Sequence, residues 1–219
     1  MEGFLAILVI LLPFAGLIYF LVWFVRRQLQ STWMHTGILA DETGMILARR
    51  NEKHGMGDFP VLQGYCNKRR VDIFTHVVGS GKHRHRVTTL HIYCQTHPAN
   101  SLSIWKEGMM SKIGIALGMQ DIKTGNIEFD DKFVLKSHSD IFARSVFDYN
   151  TCILALQAHG FFSSSGLYLK NGRFEYTESV VISNDKIRNR FKNMIIFADA
   201  LCRRVEHGQG QTNAGMRAQ

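Results

Sequence analysis

Residues 3–25 read GFLAILVILLPFAGLIYFLVWFV, and Arg26-Arg27 follow at once. A bilayer core takes about 20 consecutive apolar residues in helical form, so this run spans one with a little length to spare for tilt. It is apolar on every face, which argues against a helix packed in the core of a soluble domain. Pro13 is compatible with a helix in lipid, where neighbouring groups re-satisfy the freed carbonyl. A secretory signal would carry positive charge before the run and a small-residue cleavage site after it. Here only Met1-Glu2 precede it, and Tyr19, Trp23 and Phe24 lead straight into arginines. The expectation is an uncleaved single-pass helix over 1–27, with Tyr19, Trp23, Arg26 and Arg27 at the membrane interface.

Charge then orients the chain. All 26 Lys and Arg lie after Val25, and Glu2 is the one acid of 18 that lies before it, so the remainder carries a net +9. The positive-inside rule places the N-terminus outside and the remainder in the cytoplasm, on a cell (inner) membrane. Cys66, Cys94, Cys152 and Cys202 are scattered without a short spacing, and three of them sit in apolar patterns as small hydrophobes do. A basic domain beside an anionic leaflet is drawn to the surface.

Outward from the helix, 28–60 reads as a connector, polar and punctuated by glycine, with one amphipathic turn around 36–48. Residues 61–206 have the size of one domain with a single core, and 207–219 lack the apolar residues that would offset ordering, which predicts a flexible tail. Within the domain, 71–78 and 86–95 read as a hairpin around Gly79-Ser80-Gly81-Lys82. Strands follow at 101–106 and 132–136, with a short helical stripe between them at 108–119. A helix over 140–159 is capped by Ser139 and stopped by Gly160. Asn171-Gly172 between 166–169 and 173–177 is the strongest hairpin signal in the chain. The closing helix, 185–206, stacks Ile187, Phe191, Ile195, Ala198, Leu201 and Val205 on one face. Strands grouped with helices, without strict alternation, predict an α+β class: one transmembrane helix, then a mixed domain of β-hairpins and two or three amphipathic helices.

The segment FDDKFVLKS at 129–137, followed by DIFARSVF, resembles bacterial single-pass membrane-anchored proteins of unknown function. These share an FD-x-x-F-x-hydrophobic-Lys strand, a helix, a hairpin with Asn-Gly or Asp-Gly, and a closing helix. The resemblance runs over about 62–205 and implies an α+β cytoplasmic domain on a membrane helix; it implies no activity.

His83, His85 and His91 share a strand parity that would let them project together, as metal-binding imidazoles do, but Lys82, Arg84 and Arg86 surround them with positive charge and no carboxylate is near in sequence. The same tip suits anionic lipid headgroups or an acidic partner, and the alternative reading of the chain is a membrane-tethered sensor or enzyme using 76–91 for metal, pH or anionic lipid. Ser163–Ser165 do not form a nucleophile elbow, and Cys152 lies in an apolar stripe that disfavours a thiolate. Asp130 and Asp131 are adjacent, which in a strand points them apart. No catalytic set assembles, no cofactor motif is present, and basic-aromatic interleaving for nucleic acid is missing. The leading expectation is a non-catalytic accessory, scaffolding or assembly subunit of a larger integral-membrane complex, of the energy-transducing kind, respiratory or photosynthetic. Its partners would be lipids and integral-membrane subunits.

Overall fold

The helix that carries the apolar run does not end at the arginines: α1 (Glu2–Thr43) is unbroken. The computed structural model describes residues 2–49, 59–108, 120–163 and 165–216. Most of the expected connector is therefore helical. Beyond Arg27 the helix buries Thr32, His35, Thr36, Leu39 and Ala40, a three-and-four spacing that lays one stripe onto the domain. The stripe is mostly small and polar, so hydrophobic periodicity does not announce it. Gly44, at φ +67°, ends the helix, and the Met45 amide donates back to the Ala40 carbonyl at 3.0 Å. This six-to-one bond is a Schellman cap.

The chain then turns back along the helix as β1 (Ile46–Arg49), followed by β2 (Pro60–Cys66), β3 (Arg69–Val78), β4 (His85–Tyr93), β5 (Leu102–Lys106) and β6 (Gln120–Ile122). Next come α2 (Ile127–Lys132), β7 (Phe133–Ser137), α3 (Asp140–Val146), α4 (Tyr149–Ala158), β8 (Leu167–Lys170), β9 (Arg173–Glu178) and α5 (Asp185–Met216). The strands form one antiparallel sheet ordered β1-β2-β3-β4-β9-β8-β5-β7-β6. The α+β class with an N-terminal apolar helix is thus what the chain adopts.

Alternation divides the sheet into two faces. Leu62, Val71, Ile73, Leu90, Ile92, Ile104, Leu135, Leu169 and Phe174 point to the face where Leu39 of α1 and Phe191, Ile195, Ala198 and Leu201 of α5 complete the core. An aromatic chain crosses that core: Phe129, Phe133, Phe162 and Phe197 meet at centroid separations of 5.2 to 5.7 Å. Gly64 lets β2 pass under the cap of α1, since a Cβ there would lie 2.9 Å from Met45 Cγ and 3.0 Å from its Cα.

Three further expectations need correction. The 140–159 helix is two helices, because the Asp148 carboxylate accepts from the Thr151 amide and hydroxyl, both at 2.8 Å, and starts α4 afresh. That shift in phase leaves Tyr149 exposed and buries Thr151, Cys152, Ala155 and Ala158. Phe129–Lys132 are not strand: Asn126 caps α2 through the Phe129 amide, and β7 begins only at Phe133. Asp130 consequently serves the loop before α2, accepting from the Thr124 amide and hydroxyl and the Gly125 amide. Finally, α5 continues past Glu206 to Met216 where a flexible tail was expected; extending a helix already nucleated by packing adds one hydrogen bond per residue fixed. The helical stripe expected over 108–119 lies outside the described residues from 109 onward. Ser139 caps α3 through the Phe142 amide, as expected, and Asn171 and Gly172, at φ +52° and +71°, make the β8–β9 turn.

Two ionic clusters tie α5 to the sheet. Arg69 reaches Asp199 at 2.8 Å and pairs with Glu206 through two nitrogens, while Asn67 donates to Asp199 at 2.8 Å. Arg190 meets the buried Glu178 at 2.6 Å, and the Tyr176 hydroxyl donates to the same carboxylate at 3.1 Å. Burial pushes the Glu206 carboxyl up, but Arg69 and the Gln95 amide outweigh it and hold it below its usual 4.5. Asp148 is held low in the same way, against burial, by Thr151 and Arg204. A carboxyl depressed in the folded state contributes stability above its unfolded pKa and loses it as pH falls. The urea midpoint is therefore expected to be flat from neutrality to about pH 5 and to fall below about 4.5. Glu206→Gln should flatten that fall.

Candidate functional site

The strand directions decide what lies beside the apolar half of α1. β1 runs back down the helix: Leu47 packs near Gly37, and the Arg49 guanidinium sits 5.2 Å from the Trp33 ring. β2 is antiparallel to β1, and β3 to β2, so β3 also runs toward the apolar segment. Its C-terminal end and the tip that follows it therefore point toward residues 12–27. Thr88 of β4 donates to the Val180 carbonyl at 2.7 Å, and Ser31 of α1 donates to the Ser183 carbonyl at 2.7 Å. The 180–183 segment thus clamps the sheet's end to α1 just after Arg27.

At this end α1 is uncovered. Every residue from Leu12 to Gln28 is exposed, Tyr19 by 74% and Trp23 by 43%. Phe20 packs against Trp23 and Phe24 at 6.0 and 6.3 Å, and Arg27 lies 5.2 Å above the Trp23 ring. A groove of about 460 Å³ opens between these aromatics, Arg27, Ser31 and Ser183. Its lining grades from aromatic to polar over one helical turn, the gradient that a membrane–water interface presents.

The tip itself is a tight, exposed, wholly basic structure. Gly79 is at φ +85°, and a Cβ there would meet the His83 carbonyl oxygen at 2.4 Å. Gly81–His83 form a single 3₁₀ turn closed by the His83 amide on the Ser80 carbonyl. Lys82, Arg84 and Arg86 are exposed, and among the described residues none of them meets a carboxylate. Arg86 stacks over Phe59 at 4.9 Å. Gly79→Ala is expected to deform this turn and lower stability by about 1–2 kcal/mol, leaving the core intact. Amide exchange should show lost protection at 79–85 and unchanged protection in β4 and α5.

The three histidines do not converge. His83 and His85 are on the tip, joined by a 3.1 Å contact from His85 Nδ1 to the His83 carbonyl. His91 lies six residues away in β4, against Glu175 at 3.1 Å. Among the described residues no group of three or more His, Cys, Asp or Glu is placed to hold a metal ion. His91 belongs instead to a feature invisible in the linear sequence. Register aligns Gln63, Asp72, His91, Glu175, Tyr168, Ser103, Lys136 and Asp121 on one rung across eight strands, on the face opposite the core. Its charged members are paired along the rung or with a neighbour on the same strand: Arg70 holds Asp72 at 2.9 Å, His91 and Arg173 hold Glu175, and Lys136 holds Asp121 at 3.0 Å. The His91 hydrogen bond, more than any other influence, holds Glu175 below its usual value. Burial and the Glu175 charge push the Tyr168 hydroxyl up to about 12. A concavity of about 450 Å³ beside Asp72, Phe74, His91 and Tyr93 opens on this face. Its carboxylates are already paired, which suits a stable surface better than proton transfer. The four cysteines are free thiols; burial and the neighbouring Asp199 raise Cys66, burial raises Cys152, and Cys202 is raised by its hydrogen bond with Cys94 and by burial, which disfavours a thiolate at these three.

No protein-family model matches the chain, and no curated protein matches it. Among solved structures, the crystal structure of the mycobacterial trehalose monomycolate transport factor A, TtfA, is similar in fold. The match has a TM-score of 0.54 at 11% identity and covers 80% of this chain and 94% of that one. The chain thus shares its fold with a mycobacterial transport factor, over nearly the whole of that structure.

Proposed function

We propose that this chain is a single-pass membrane protein whose domain works without catalysis, as an accessory or assembly component held rigidly at the surface of the membrane. One observation carries the reading. A single helix supplies both an uncovered apolar segment long enough to cross a bilayer and a buried stripe in the domain's core. A domain built onto its anchor in this way has a fixed height and orientation, which suits presenting a surface to neighbours in the plane of the membrane. A free-swinging catalytic head would need a flexible linker instead.

Other features support the same reading. The titratable groups on the second face of the sheet are mutually paired, and the fold is that of a protein whose name describes a transport factor. The distribution of basic residues favours a cytoplasmic domain with the N-terminus outside, in the cell membrane. The partners are integral-membrane subunits; an energy-transducing complex remains one such assembly. Solubilising the membrane-resident full chain in mild detergent, with identification of the co-purifying chains, tests this. A stoichiometric membrane-protein partner is expected. Extraction by alkaline carbonate, or a monomer without partners, would overturn the reading.

A further inference from the structure

We propose that the β3–β4 tip is a headgroup-binding element that recognises anionic lipid in the leaflet beside the domain. The inference rests on the tether reading above and adds a partner to it.

Height is the first argument. Arg49, over Trp33, pairs with Pro60, and the next pairing, Val61 with Phe74, sets the level of β3 against α1. From Trp33 back to Arg26 the helix descends about 10 Å at 1.5 Å per residue. From Thr75 to Val78 the strand descends about 10 Å at 3.3 Å per residue. The tip after Val78 therefore reaches the plane of Arg26-Arg27, where the apolar segment ends and headgroups begin.

Charge is the second. Lys82, Arg84 and Arg86, with Arg26 and Arg27, form a cationic rim at that plane, joined by exposed Lys186 at the start of α5. The acid at that helix start, Asp185, is engaged by Arg188 at 2.8 Å. The tip segment 77–89 contains no acid at all. Rigidity is the third. The Gly79 turn fixes where the three cations stand, so little ordering opposes binding. An acidic protein partner would also suit the charge, but the tip's height places it at the one anionic surface that the anchor guarantees is there.

The test uses the full chain reconstituted in vesicles, with Cys66→Ser and a fluorophore on Ser80→Cys, a position whose side chain makes no cap bond. Quenching by headgroup-attached nitroxide lipid is compared between neutral phosphatidylcholine and the same lipid mixed with phosphatidylglycerol. Each basic residue near such a surface is worth about a five-fold preference. Quenching should rise in the anionic vesicles and fall with added salt. It should return to the neutral level in the triple variant Lys82→Gln, Arg84→Gln, Arg86→Gln. Equal quenching in both lipids, or a triple variant that behaves as the parent, would overturn the proposal, as would an unquenched tip that docks on protein instead. A second label on Ile18→Cys separates the two readings. If acyl-chain nitroxide quenches Ile18 while the tip ignores lipid charge, the tether stands and the headgroup site falls. If Ile18 is not quenched, both fall.

Discussion

Asp199→Ala is expected to lower folding stability by about 3 kcal/mol, near the lower end of what removing one partner of a buried ion pair does. Asp199 is 2% exposed and lies on α5 facing the β2–β3 turn. It accepts from Arg69 and from Asn67, both at 2.8 Å, with Arg203 at 3.6 Å. Removing the carboxylate leaves the Arg69 guanidinium, itself mostly buried, with Glu206 as its remaining acid partner. It also frees Asn67, which sits at φ +49° in a two-residue turn with Lys68 at φ +69°. That turn has no glycine to ease it, so the side-chain bond helps to hold it. Glu206 limits the loss, since it already makes two hydrogen bonds to Arg69 and keeps that cation paired. For a domain of this size, 3 kcal/mol corresponds to a fall of about 6–12 °C in Tm. Asp199→Asn preserves shape and one acceptor and should fall by roughly half as much. Thermal denaturation of the parent and the two variants in detergent gives the ranking; equal Tm values would show that the cluster adds nothing.

Replacing Gln28, Leu29 and Gln30 together by glycine is expected to uncouple anchor from domain. These residues run from the end of the uncovered segment toward the first buried position, Thr32, and none is buried. The core therefore loses little directly. Each glycine disfavours the helix by about 1 kcal/mol relative to a good helix former, so the joint weakens by about 3 kcal/mol. The packed stripe from Thr32 to Ala40 and the seam pairs Lys192–Glu42 and Arg188–Glu42, at 3.1 and 3.9 Å, remain. The outcome is a folded domain on a hinge: amide protection lost near 26–31, with thermal stability of the domain nearly unchanged. If co-purification with a partner survives this change undiminished, fixed mounting is not what the partner reads.

The chain shows its fold unevenly. The run 3–25 is legible because lipid demands apolarity on every face, and the Asn171-Gly172 turn because few residues accept φ above zero. The α5 stripe is legible because Phe191, Ile195, Ala198, Leu201 and Val205 repeat at helical spacing. The second half of α1 is not, because its buried stripe is built from Thr32, His35 and Thr36, whose burial depends on what α5 and β2 bring to them. The break at Asp148 is hidden for a related reason: a capping carboxylate restarts a helix without any glycine or proline. The FDDK segment reads as the start of a strand and folds as α2, since Asn126 supplies the cap. At the candidate site the basic tip is plain in the sequence, while its height beside Arg26-Arg27 follows only from the sense of β1, β2 and β3. The rung that carries His91 depends on register across eight strands, which no local pattern encodes.

The claim beneath all of this is that one helix fixes the domain to its membrane segment. Pulsed electron resonance between spin labels on Ile18→Cys and Lys68→Cys, with Cys66→Ser and the full chain in bilayers, measures it directly. Both label sites are exposed, one on the apolar half of α1 and one on the far turn of the sheet. The remaining cysteines, Cys94, Cys152 and Cys202, are buried free thiols. The account predicts one narrow distance distribution, broadened by the triple glycine variant. A broad or multiple distribution in the parent chain would contradict it.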